Sequence, residues 1–251
     1  MPGACAKRSG SIHRKHWDNA VSDQAEAREE ELQRKLNRLR RRQERNERAA
    51  WAKGFLTAVC GMLRPGDVTI DCGANVGDIS ARLLETGADV VAFDPEPWAV
   101  EKLERRFAGK ERFTLHNAAV GTEEGTIQLF RAGNFENNEK NASVKSTVMS
   151  GGRMIDYEDG AAVDVRMIDF VAFLQDLIAE RGEIAFLKID IEGAELALLR
   201  AMDDARVFSN IRCTVVETHE KKFKELRGEF SALRRDFEKK YKPEHVNLDW
   251  I

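Results

Sequence analysis

Two sets of residues in this chain have types and spacings suited to chemistry. The first is the run Asp71-Cys72-Gly73-Ala74-Asn75-Val76-Gly77-Asp78, set between an apolar stretch and an amphipathic one. Asp94 belongs with it and ends the next apolar run, Val90 to Phe93. A glycine-rich turn between strand and helix lets a ligand approach bare backbone at a helix N-terminus. An acidic residue about 20 positions on, at a neighbouring strand tip, can accept both hydroxyls of a ribose. The second set is Asp190, Glu192, Glu217 and His219, at the ends of two later apolar runs. Asp190, Glu217 and His219 are candidates to take a proton from a hydroxyl nucleophile, and His219 has the best-matched intrinsic pKa. Asp190, Glu217 and His219 could also ligate a divalent metal, but their spacing does not demand one and none is favoured.

The glycine pattern bears on which nucleotide the turn suits. A dinucleotide fingerprint, G-x-G-x-x-G, would place its second and third glycines at 75 and 78. Those positions hold Asn75 and Asp78. Asp78 would set a negative charge beside a pyrophosphate, so NAD and FAD are disfavoured. A cationic ligand with a ribose and no phosphate fits better, and S-adenosylmethionine (SAM) is such a ligand. The plain alternative is that Asp71 and Asp78 are a strand-end and helix-cap pair.

The elements that must position these residues alternate. Strands are expected at 67–72, 89–94, 112–117, 125–131, 162–167, 184–190 and 211–217, with a final one over 245–250. Helices are expected at 77–86, 97–108, 169–181, 193–202 and 221–240. Strands alternating with helices imply an α/β fold, a mostly parallel sheet with helices on both faces. Residues 132–161 show no period and are rich in Asn and Gly. A loop that long is usually functional, and this one is expected to cover an acceptor.

The 251 residues allow one large α/β domain with an appendage. Net charge is −3, so no whole-chain field favours nucleic acid, no aromatics interleave with the arginines of the N-terminal segment, and no nucleic-acid partner is expected. The charge is unevenly placed: residues 1–50 hold 13 basic and 8 acidic side chains. Cys5, Cys60, Cys72 and Cys213 are scattered without a C-x-x-C pair. They read as reduced thiols of a cytoplasmic protein. No apolar run approaches the length of a membrane span. Residues 1–21 are expected to be disordered, residues 22–50 to form an Arg-rich helical extension, and 51–251 the main domain. Leu32, Leu36, Leu39, Gln43, Asn46 and Ala50 recur at spacings of four and three. That weak heptad seam suggests a homodimer, with peripheral membrane contact as an alternative use of the arginines.

Three stretches together resemble a known family. They are Asp71 to Gly77, the run Val91-Ala92-Phe93-Asp94-Pro95-Glu96-Pro97, and the run Leu187-Lys188-Ile189-Asp190-Ile191-Glu192-Gly193-Ala194-Glu195. The chain is similar to the FkbM-family class I SAM-dependent methyltransferases over roughly residues 55 to 220. The resemblance implies a seven-stranded Rossmann-like sheet with SAM at the C-terminal ends of the strands. It implies that Asp71, Gly73, Asn75 and Gly77 border SAM, that Asp94 takes the ribose, and that Asn117 and Ala118 flank the adenine. The expected reaction is O-methylation of a hydroxyl-bearing acceptor, best a sugar on a glycan, glycolipid or glycosylated metabolite. A methyltransferase acting on a protein, a peptide or another small molecule, and a non-catalytic SAM-binding or oligomerising module, are the alternatives.

Overall fold

The computed structural model describes residues 10–131, 146–149, 162–220 and 222–250, with side chains from residue 28 onward. Two compact units are present, Met1–Trp51 and Ala52–Ile251. Helix α1 spans Gly10–Met62, so its residues from Ala52 on belong to the second unit. It starts well before the expected position near Ser22. Neither Gly nor Pro occurs between Ser11 and Lys53, so no residue there breaks the helix. In the first unit every residue from Arg28 to Trp51 is exposed.

In the second unit the elements follow as β1 (Val68–Cys72), α2 (Asp78–Glu85), β2 (Asp89–Phe93), α3 (Pro97–Arg106) and β3 (Phe113–His116). Next come β4 (Ala119–Gly121), β5 (Gly125–Phe130), β6 (Ala162–Asp169), α4 (Phe170–Arg181) and β7 (Phe186–Ile189). The unit closes with α5 (Glu195–Asp204), β8 (Thr214–Val216), α6 (Arg227–Lys240) and β9 (Val246–Asn247). The main sheet has the order β3-β2-β1-β7-β8-β9, parallel throughout. This is the Rossmann-like α/β arrangement. Central strands are buried on both sides, which is why β1 and β7 are buried at every position.

Alternation along the strands divides the core. Ile70, Cys72, Leu187 and Ile189 face one layer, built with Leu174 of α4, Leu198 and Leu199 of α5 and Phe230 and Phe237 of α6. Val90, Phe186 and Val215 face the other, with Leu83 of α2 and Ala52, Leu56 and Val59 from the last turns of α1. Asp169 caps α4 by accepting from Ala172 N at 3.0 Å. Pro97 opens α3 behind Glu96.

Three expectations need correction. The main sheet has six strands among the described residues, not seven, and the last is only Val246–Asn247 rather than 245–250. The strands expected at 125–131 and 162–167 leave the main sheet altogether. They pair antiparallel with each other as β5 and β6, and β4 joins β6 in parallel to make a separate three-stranded sheet. β4 is three residues long, too short to show a period. Most of the expected loop 132–161 lies outside the described residues. Within 146–149, Thr147 exchanges two backbone hydrogen bonds with Phe130, at 2.8 and 2.9 Å.

Candidate active site

The glycine turn is shaped by a close approach of β1 and β7. Gly73 has φ +75°, and a Cβ there would lie 1.8 Å from the carbonyl oxygen of Asp190. Only glycine permits both the backbone angle and the contact. The N–H groups of Gly73 and Ala74 donate to Phe93 O at 2.9 and 3.0 Å, and Asp190 N donates to Cys72 O at 3.1 Å. The C-terminal ends of β1, β2 and β7 are thereby tied together. Asn75 N donates to Asp94 Oδ2 at 2.7 Å, and Glu96 N donates to Oδ1 at 2.9 Å. Burial pushes the Asp94 carboxyl up to about 6, with the two backbone donors pulling the other way. Each oxygen keeps acceptor capacity for a further donor, which suits a vicinal diol.

A pocket opens beside this carboxylate. Gly73, Asn75, Asp94, Ala118, Asp190 and Glu192 are among its lining residues. Four of the expected cofactor positions, Gly73, Asn75, Asp94 and Ala118, are therefore brought together. Asp71, Gly77 and Asn117 do not line it. Asp71 is wholly buried, accepts from Ser80 Oγ at 2.6 Å and supports the turn from below. Gly77 leaves room for Phe107, whose ring would lie 2.5 Å from an added Cβ. Asn117 is exposed. Spacing along a strand end does not show which way a side chain points.

Sequence reasoning missed Glu96 and Thr147. Glu96 is buried in the pocket wall and takes two hydrogen bonds from Arg131, at 2.6 and 3.2 Å. Its only sequence signal is a capping position before Pro97. Thr147 Oγ1 donates to Glu192 O at 2.6 Å, fastening the second sheet's segment to the turn after β7.

The second candidate set gathers around two cations. Lys188 is buried, with Nζ 3.2 Å from Asp71 Oδ1 and 3.4 Å from Asp190 Oδ2. It also donates to Cys72 O at 3.3 Å and Gly73 O at 3.0 Å. Burial opposes its charge, but Asp71 and Asp190 outweigh that and raise its pKa. His219 lies between four carboxylates. Nδ1 is 2.9 Å from Glu195 Oε1, and Nε2 is 3.4 Å from Glu192 Oε2, 3.8 Å from Asp190 Oδ1 and 3.9 Å from Glu217 Oε1. Burial would lower its pKa, yet the hydrogen bonds to Glu192 and Glu195 push it up to about 11. Burial, then the neighbouring Asp190 charge, lifts the Glu217 carboxyl to about 8. Asp190 is also raised, by burial first. For Glu192 burial is outweighed by His219 and by Lys222, 2.9 Å away, so its pKa falls.

The arrangement offers a fixed cation, His219, and a carboxyl that titrates near neutral pH, Glu217. Glu195 was legible only as a helix-start residue. It is fully buried, accepts from Ile191 N and Gly193 N at 3.2 and 3.0 Å, and orients His219. Ligand atoms of Asp190, Glu192 and His219 lie within 4.8 Å of one another, a donor set able to hold a divalent ion once His219 is neutral. The tightest set thus contains Glu192 where spacing suggested Glu217.

Removing the Lys188 ammonium should expose how the two strand-end acids depend on it. Lys188→Met leaves buried carboxylates without their counter-charge, at a cost of about 3–5 kcal/mol in unfolding free energy near pH 7.5. An Asp whose folded pKa is raised favours the folded state when protonated, so its penalty shrinks as pH falls. Denaturant titrations at pH 7.5 and pH 5 should therefore show part of the loss recovered at the lower pH. A deficit that is equal at both values would mean Lys188 acts through packing alone.

The chain is similar to known methyltransferases. The Methyltransferase FkbM domain matches residues 71–242. The 31-O-demethyl-FK506 methyltransferase FkbM of Streptomyces tacrolimicus is 30% identical over 180 residues, spanning 63% of this chain and 67% of that protein. Methyltransferase sdnD of Sordaria araneosa is 29% identical over 187 residues, spanning 66% of this chain and 71% of its own length. The matched span takes in the glycine turn, Asp94 and the cluster from Lys188 to His219, and the chain belongs to the FkbM family of methyltransferases.

Proposed function

We propose that the second unit, Ala52–Ile251, is a SAM-dependent O-methyltransferase acting on a sugar hydroxyl of a glycan, glycolipid or glycosylated metabolite. The observation that carries the reading is the pocket itself. It joins the diol-ready carboxylate of Asp94 to the acids Asp190 and Glu192. Lys188 is spent on two carbonyls and two carboxylates. A pyrophosphate would meet negative charge here, whereas a cationic sulfonium is favoured. The residues present thus fit SAM. Asp94 would hold the ribose, Gly73 and Asn75 would present backbone, and Ala118 would border the base. Bound SAM supplies an electrophilic methyl on a positively charged sulfur.

The chain's own residues would prepare the acceptor oxygen. A sugar hydroxyl needs a proton acceptor as its bond to carbon forms. His219, held as an imidazolium by Glu192 and Glu195, is placed to orient the acids at Nε2. Glu217 and Asp190 are then the groups able to take the proton at a carboxylate oxygen. An oxygen acceptor is supported by the name of one relative, 31-O-demethyl-FK506 methyltransferase. A polar acceptor is supported by the hydroxyl-rich and acidic pocket edge at Ser146, Thr147 and Glu192. The free thiols Cys60, Cys72 and Cys213 support a cytoplasmic setting. Among the described residues no helix is long and apolar enough to cross a membrane. We also infer a homodimer through α1, where Leu32, Leu36 and Leu39 are 58%, 41% and 62% exposed along one seam.

Two measurements test the cofactor and the acceptor. Calorimetry on Asp94→Ala should show SAM affinity lowered by about ten-fold or more, since two hydrogen bonds to a charged acceptor are lost. Labelled-methyl transfer by the native chain to a panel of saccharides, but not peptides, should identify the acceptor class. Unchanged affinity, or transfer to peptides only, would overturn the assignment.

The pH profile reports the base. A Glu217 carboxyl protonated below about 8 cannot accept a proton, so turnover should rise with pH through that value. Glu217→Gln should remove the rising limb and cost about 10²–10⁴ in rate. A limb that persists in this variant and disappears in Asp190→Asn would move the role to Asp190.

Light scattering of the full chain should give a dimer mass, and Leu32→Lys with Leu36→Lys should return a monomer. A monomeric native chain would rule out the seam as a dimer contact.

A further inference from the structure

We propose that the arginine face of α1 is a docking surface for the phosphate backbone of double-stranded DNA, a second binding activity of this chain. Arg34, Asn37, Arg38, Arg41, Arg42 and Arg45 line one shallow groove on the helix. The spacing continues to Arg48, so that 34, 38, 41, 45 and 48 step by four and three. At about 100° per residue, these five and Arg42 fall within a sector roughly 120° wide and about 21 Å long. The two glutamates in this stretch, Glu44 and Glu47, fall outside the sector. Arg34 pairs with Glu30 at 3.1 Å, but Arg38, Arg41, Arg42, Arg45 and Arg48 form no ion pair among the described residues.

The chemistry of the face selects its partner. Every cation on it is arginine, whose planar fork matches phosphate oxygens bidentately. A helix of about 10–12 Å diameter enters the major groove of B-form DNA, about 12 Å wide, whereas the narrow major groove of A-form RNA does not admit it. A membrane surface fits poorly. An interfacial helix needs a broad apolar face opposite its cations to bury in the lipid. Between residues 28 and 50 the only large apolar side chains are Leu32, Leu36 and Leu39, too narrow a face to anchor a helix of this length in a membrane. The whole-chain charge of −3 does not decide the matter. Exposed charges are screened beyond about 8–10 Å, and residues 34–48 hold eight basic and two acidic side chains.

Fluorescence anisotropy of the full chain with a labelled mixed-sequence duplex tests the proposal. With about five phosphates contacted, affinity should fall by roughly 10²–10³ between about 50 and 200 mM salt. Two neighbouring variants separate a face from a bulk charge. Arg41→Gln should weaken binding several-fold and lower the salt slope by about one. Arg40→Gln, on the far side of the helix, should change neither. Circular dichroism checks that both variants keep the helix. Equal effects of the two variants, no duplex binding at 50 mM salt, or tighter binding to anionic vesicles or to heparin than to the duplex would each overturn it.

Discussion

One ammonium group holds the functional end of the second unit together. Lys188 Nζ sits between Asp71 at the end of β1 and Asp190 just beyond β7, and it reaches the carbonyls of Cys72 and Gly73. Asp71 or Lys188 alone would be a buried charge with no counter-charge, a situation worth several kcal/mol against folding. Together they make the crossing of the glycine turn under the Asp190 carbonyl tolerable. The 1.8 Å contact that a Cβ at Gly73 would make measures how close that crossing is. The floor of the pocket is therefore electrostatic as well as steric, and both parts come from the same few residues.

Around this floor the charges are sorted by burial set against counter-charge. Asp94 and Glu217 are pushed towards neutrality by loss of water, whereas Glu192 stays ionised because His219 and Lys222 face it. His219 shows how far a neighbourhood can override an intrinsic value. Its free pKa makes it the natural base on paper. Among Glu192, Glu195, Asp190 and Glu217, its pKa is pushed up to about 11. Glu192 and Glu195 do this by hydrogen bond and by charge, Glu195 from a fully buried position on α5.

What was legible in the sequence follows the same division. The turn at Asp71 to Gly77 and the acid at Asp94 could be read, because glycines and strand-end carboxylates carry local signatures. The parallel α/β arrangement could be read from alternating apolar runs. Direction could not: Asn117 and Gly77 have plausible spacing, yet one faces water and the other faces Phe107. Partnerships across long separations were also invisible. Glu96 meets Arg131 from 35 residues away, and Thr147 meets Glu192 from 45. β5 and β6 were seen as strands, but an antiparallel pair separated by a long insertion looks, in one dimension, like two more steps of the parallel alternation.

The strand order sets a schedule for synthesis. β1 lies at the centre of the main sheet, but its neighbour on one side, β7, is drawn from residues 186–189. Lys188 is 116 residues from Cys72, whose carbonyl it holds. A ribosome adding about 5–20 residues per second needs roughly 6–23 s to deliver that partner. Through that interval β1, β2 and β3 can pair, while the far edge of β1 presents unpaired backbone and the apolar Ile70 and Cys72. An open, flat, apolar edge is a template for pairing with other chains. Nascent chains of this protein are consequently most exposed to aggregation, and most in need of a chaperone, during the window between the emergence of β3 and that of β7.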